Sequence, residues 1–170
     1  MYLLEVSLQP RRLSRGLAAF CLAALAQGAP TGASAETGYD LWLRYVPIAD
    51  AVQRSRYRQA ASAIVVHDDS PTGRLVRAEL RRGLSGLLGE APTVSDLVRA
   101  DGTVVVGTPK SSPLIAGLRW SEPLARLGPE GYLIRSTRIG GHPVTVIASE
   151  GSIGTLYGAF HLLRLIQTGQ

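Results

Sequence analysis

One cysteine, two tryptophans, two phenylalanines and an aromatic content of 6% in 170 residues rule out several functions at once. Cys21 alone can neither close an intrachain disulfide nor build a thiolate metal centre. So few aromatic rings, scattered along the chain, do not make the stacking series that a single-stranded nucleic-acid groove needs. The sequence also has no HExxH, CxxC, GxSxG, GK[ST] phosphate loop or GxGxxG fingerprint, which removes the commonest metalloprotease, redox, hydrolase and nucleotide signatures. Its clearest apolar stretch, Gly16–Ala26, is far shorter than the roughly 20 helical residues a bilayer core requires. What remains is 45% hydrophobic and 18% charged. That balance suits one globular domain with a real core rather than a disordered chain.

Residues 1–35 read as a cleaved signal peptide. Arg11, Arg12 and Arg15 form a positive segment, the apolar stretch follows, and Ala33-Ser34-Ala35 is a small-residue cleavage box before Glu36. The Arg11-Arg12 pair raises the twin-arginine route, against which Ser14 stands where an apolar residue is wanted. Bulky Phe20 before Cys21 argues against a lipid anchor. The expected organisation is therefore a leader over 1–35 and a mature domain over 36–170, secreted or periplasmic and free of the membrane after cleavage. The 15 basic and 12 acidic residues left behind give +3, and its arginines are interleaved with apolar and acidic residues, so no nucleic-acid partner is expected.

The mature segment alternates strand and helix signals, predicting an α/β (α+β) fold with a mixed sheet and helices packed on it. YDLWLRY at 39–45 has the period of two of a half-buried strand, stopped by Pro47. AIVVH at 63–67 is a short β-branched strand. Asp68-Asp69-Ser70-Pro71 then turns the chain, with Ser70 as cap and Pro71 at the first helical position. Val76, Leu80, Leu84, Leu87 and Leu88 recur at helical spacing until Gly89 ends the pattern. TVVVG at 103–107 has the continuous apolar character of a strand buried on both faces, and TPKSSPLIAGL reads as a loop entering a short helix. Strand, helix, strand implies parallel pairing with a right-handed crossover. YLIR at 132–135 and VTVIA at 144–148 suit a hairpin across Gly140-Gly141-His142-Pro143, and 152–166 reads as a final amphipathic helix.

Candidate chemistry is thin. His67 at a strand end, His142 in a turn and His161 within the last helix share no metal-ligand spacing, so no metal and no cofactor is expected. Glycoside hydrolysis runs on two flanking carboxyl groups; Asp68 and Asp69 are adjacent, but a turn and helix cap explain them more simply. Glu90, Asp96, Asp101, Glu122, Glu130 and Glu150 fall in loops or helix starts, where carboxylates complement unpaired amides. Lys110, with Ser111 and Ser112, follows a buried strand and suits a phosphate or sugar hydroxyl as well as an ordinary strand exit. Trp42 and Trp120 suit stacking on a sugar or packing in a core, the latter favoured without a row of exposed rings. No residue is assigned as catalytic, cofactor-binding or metal-ligating.

Four segments taken in order, YDLWLRY at 39–45, VVVGTPKSSPLI at 104–115, LGPEGYLIR at 127–135 and LYGAFHLLRLIQTGQ at 156–170, resemble the amino-terminal domain of the microbial α-glucuronidases of glycoside hydrolase family 67. The resemblance implies an α/β domain like the one preceding the barrel of hexosaminidases. It implies partnership with a catalytic (β/α)8 barrel of the same or a neighbouring chain, and a helical carboxy-terminal region that helps form dimers. It also implies removal of glucuronic acid or its 4-O-methyl ether from xylan fragments with inversion, by carboxylates that belong to the barrel. No position here matches those catalytic motifs. The expectation is a non-catalytic piece, fragment or isolated domain, inactive alone, with xylo-oligosaccharide as a further partner. A free-standing carbohydrate-binding module is the alternative, and a small nucleotide-binding domain, suggested only by 103–110, the remote one.

Overall fold

The computed structural model describes residues 44–170. The leader, Cys21, Trp42 and most of the strand expected over 39–45 lie outside them; Arg44 and Tyr45, at the end of that segment, belong to no strand of the sheet. Ten elements follow: α1 (Ala51–Ala60), β1 (Ala63–Val66), α2 (Pro71–Leu88), β2 (Thr93–Val94), β3 (Thr103–Gly107), α3 (Pro113–Gly117), α4 (Ser121–Leu127), β4 (Tyr132–Ile139), β5 (His142–Ser149) and α5 (Ser152–Thr168). The strands form one sheet in the order β2-β1-β3-β5-β4, in which only β4 runs antiparallel. The expected α/β fold with a mixed sheet is what the chain adopts.

Alternation along the strands decides what each face buries. Ile64, Val66, Val104, Val106 and Ile147 point to one face, where they meet Val76, Leu80, Leu84 and Leu87 of α2 and Ala159, Leu162, Leu163 and Ile166 of α5. Val65, Val105, Val144, Val146 and Ala148 point to the other, under Ile115 of α3 and Leu124 of α4. All five residues of β3 are buried because the strand lies between β1 and β5 with helices above and below. That is the arrangement its unbroken TVVVG run predicts.

Local chemistry sets the boundaries of α2 as the sequence predicts. The Ser70 hydroxyl accepts the Gly73 amide at 3.1 Å, Pro71 opens the first turn, and Gly89 closes the last at φ +74°. The hairpin turns at Gly140 and Gly141, with φ +60° and +88°, the left-handed pair that matches strand twist in a two-residue turn. His142 is the first residue of β5, paired with Ile139, rather than a turn residue.

Three elements carry no clear sequence signal. Helix α1 buries none of its residues, so it has no apolar stripe to read. It is held by its ends: Asp50 accepts the Val52 and Gln53 amides, Arg54 donates to the Ile48 carbonyl, and Arg58 to the Leu88 carbonyl. Helix α4 is seven residues long and β2 two, below the length at which periodicity can be recognised.

Candidate functional site

In open parallel sheets, ligands sit beyond the carboxyl ends of the strands, where successive connections leave on opposite faces. Here that point lies between β1 and β3, since α2 covers one face and α3 and α4 the other. Of the residues singled out from sequence, His67, Asp68 and Asp69 follow β1 and Lys110, Ser111 and Ser112 follow β3; Ser149 to Ser152, at the end of β5, join them in the structure.

Their hydrogen bonds are directed at one another. Asp68 is nearly buried and accepts the Ser70 amide on Oδ1 at 2.9 Å and the Ser152 hydroxyl on Oδ2 at 2.9 Å. It thereby ties the start of α2 to the start of α5, across 84 residues of chain. Burial pushes its pKa up; the hydrogen bonds from Ser70 and Ser152 and the charge of Arg77 outweigh this and hold it below the ordinary carboxylate value. Its neighbour Asp69 is 90% exposed at the side chain and faces Arg77 at 3.4 Å. The two carboxylates therefore do not face a common gap. Asp50, the other shifted carboxyl group, is also lowered, by the Gln53 and Val52 amides of the helix it caps.

The loop after β3 closes on itself. The Thr108 amide donates to the Ser111 hydroxyl at 3.0 Å and the Ser111 amide to the Thr108 hydroxyl at 3.0 Å, which engages two amides that a phosphate would use. Lys110 is exposed beside them. Ser112 does not cap α3; its hydroxyl pairs with His67 Nδ1 at 3.0 Å, while His67 Nε2 pairs with the Asp96 carbonyl at 2.7 Å. This imidazole bridges the β1 and β3 exits. Every buried side-chain polar atom among the described residues has a partner.

The other candidates are dispersed. His142 Nδ1 meets Asp101 Oδ1 at 2.7 Å and His161 Nδ1 meets the Tyr132 hydroxyl at 2.9 Å. The described residues contain no group of His, Cys, Asp and Glu able to hold a metal ion. Trp120 is half-buried at the α3–α4 junction, packs on the core, and has the Arg135 guanidinium over its ring at 5.4 Å. Glu90, Asp101, Glu122 and Glu130 are exposed, Asp96 is exposed in a loop, and Glu150 is half-buried before α5; Glu122 pairs with Arg126 one turn along α4. One carboxylate that sequence reasoning passed over is Glu79, 2% exposed on the apolar side of α2, where it accepts the Tyr45 hydroxyl. Its place between Val76 and Leu80 on the buried stripe was the available signal. Enclosed to that degree, it cannot touch a sugar.

Comparison with known proteins places this geometry in context. Residues 41–162 match the sequence profile described as the glycosyl hydrolase family 67 N-terminus. The α-glucuronidase of Hypocrea jecorina is 31% identical over 141 residues, 79% of this chain and 16% of that protein. Alpha-glucuronidase A of Emericella nidulans is 30% identical over 144 residues, 81% of this chain and 16% of that protein. The probable alpha-glucuronidase A of Aspergillus oryzae is 28% identical over 144 residues, with 79% and 16% covered. The chain thus spans about a sixth of the length of the curated relatives it matches.

Proposed function

The chain belongs to the glycosyl hydrolase family 67 N-terminal family, and from that premise we propose that it is the non-catalytic amino-terminal domain of a secreted α-glucuronidase acting on xylan-derived oligosaccharides. In this reading it supports a catalytic barrel that removes (4-O-methyl)glucuronic acid, and it has no turnover of its own. The observation that carries the reading is the state of Asp68. A general acid for glycoside cleavage needs a raised pKa and an open approach to the glycosidic oxygen. Asp68 has a lowered pKa and both oxygens engaged by Ser70 and Ser152, while Glu79 is enclosed. The carboxylates best placed by topology serve the fold.

Docking is supported by the outer side of α5. Ile153 and Tyr157, one turn apart, are 43% and 45% exposed, although the same helix is packed on the sheet by its opposite side. Apolar side chains in line on a helix are the kind of surface a second domain covers. The relatives' additional length supplies a domain to cover it.

The test assays release of uronic acid from aldouronic oligosaccharides by the purified chain, alone and mixed with the separately expressed remainder of a family enzyme. We expect no turnover alone, association in the mixture, and weaker association for Tyr157→Asp. Turnover by the chain alone overturns the reading.

A further inference from the structure

A second concave surface lies on the outer flank of the domain, between the edge strand β4 and α5. It is an open hollow of about 470 Å³ lined by Tyr132, Phe160, His161, Arg164, Leu165 and Gln170. That volume is in the range of small-molecule sites. We propose that this hollow binds the carboxylate-bearing ring of an acidic sugar, a hexuronate. The choice of a sugar over other flat anions rests on the reading above; the geometry supplies the rest.

Helix α5 comes unusually near the sheet here because position 158 is glycine. A Cβ at that point would lie 2.4 Å from Ile147 Cγ2 and 3.2 Å from Tyr132 Cδ2. The Tyr132 ring therefore sits against the helix and meets His161 edge-on, with centroids 5.7 Å apart at 76°. The hydroxyl-to-Nδ1 contact of 2.9 Å locks the pair. His161 Nε2 and the Arg164 guanidinium have no partner among the described residues, and the lining contains no Asp or Glu side chain. A fixed aromatic wall, an unpaired fork of N–H donors and an unengaged imidazole nitrogen thus share one concavity.

Each part selects a different feature of the ligand. The guanidinium matches a carboxylate through two parallel hydrogen bonds. Tyr132 and Phe160 offer ring surface to the C–H face of a pyranose. Nε2 and the tyrosine hydroxyl suit sugar hydroxyls. A neutral sugar leaves the Arg164 charge unanswered, and a bare inorganic anion leaves the aromatic wall unused. A uronate uses both.

The test is an amide chemical-shift titration of the purified chain with glucuronate, glucose and phosphate, each to about 50 mM, the weak end of measurable affinity. We expect glucuronate to shift resonances of Tyr132 and of Phe160 to Leu165, with glucose and phosphate weaker by about tenfold or more. Arg164→Gln should reduce glucuronate binding by about tenfold, while Arg99→Gln, exposed elsewhere, leaves it unchanged; circular dichroism confirms that both variants fold. Absence of shifts, an equal response to phosphate or to glucose, or an unaffected Arg164→Gln each sinks the proposal. Glucuronate binding without association to a catalytic remainder removes only the docking reading, and association without glucuronate binding removes only this one.

Discussion

The two faces of the sheet are built to different standards. Under α2 and α5 fifteen buried residues form one cluster, with five further apolar side chains leaning on it. Under α3 and α4 the buried set is seven. The helices differ in the same sense: α2 and α5 run 18 and 17 residues, α3 and α4 five and seven. Of these four helices only α2 has a side-chain cap. Helices of that length have no stability of their own and persist only through the contacts beneath them. The thick face holds the domain together, and the thin face is a covering that local change can rearrange.

The largest effect that distinguishes them is a matched core truncation. Leu80 and Leu124 are both fully buried, on α2 and α4 respectively. Leu80→Ala should cost about 4 kcal/mol in urea unfolding, because the rigid α2–α5 pair cannot close the cavity; Leu124→Ala should cost about 2 kcal/mol as α4 settles inward. Equal losses would break the comparison.

An intermediate effect tests whether the thick face depends on its polar rim. Asp68→Asn should cost about 1 kcal/mol at neutral pH, where the carboxylate joins the starts of α2 and α5. The sign with pH follows from the lowered pKa: its contribution is complete above the ordinary value of 3.8 and fades as pH falls through the folded-state value. Wild type and Asp68→Asn should therefore converge in acid. A gap that widens there contradicts the assignment.

The smallest effect sharpens the thin side. Arg135→Ala removes the cation over Trp120 and should cost about 0.5 kcal/mol, as exposed pairs of this kind do. It should also raise the exposure of Trp120, read as a red shift in tryptophan emission. A loss several times larger would mean that the arginine, rather than Leu124, organises this face.

The same contrast explains what was legible in the sequence. The thick face announced itself: Val76, Leu80, Leu84 and Leu87 repeat at helical spacing over about three turns, and Ser70, Pro71 and Gly89 mark the ends by side-chain and backbone geometry that no tertiary contact needs to supply. β3 was readable because burial on both sides leaves an unmixed apolar run. Helix α1 was not, since it is fastened by arginines reaching to carbonyls of Ile48 and Leu88 rather than by a stripe. The role of Asp68 as a cap-like turn residue was foreseeable from the adjacent Ser70 and Pro71. Its partner Ser152 was not, because that contact depends on β5 arriving beside β3. The lateral hollow left no local trace for a similar reason: Tyr132 and His161 meet only once strand and helix are packed.

The position of β5 has a consequence for how the chain reaches this state. Among the described residues β5 is the strand latest in sequence, yet it lies inside the sheet, between β3 and the outermost strand. Until residues 142–149 have left the ribosome, the flank of β3 has no neighbour to pair with, and any shorter nascent chain presents an unfinished, sticky edge. The sheet can therefore close only after β5 has emerged, so the pairing that completes it is a non-local, late one.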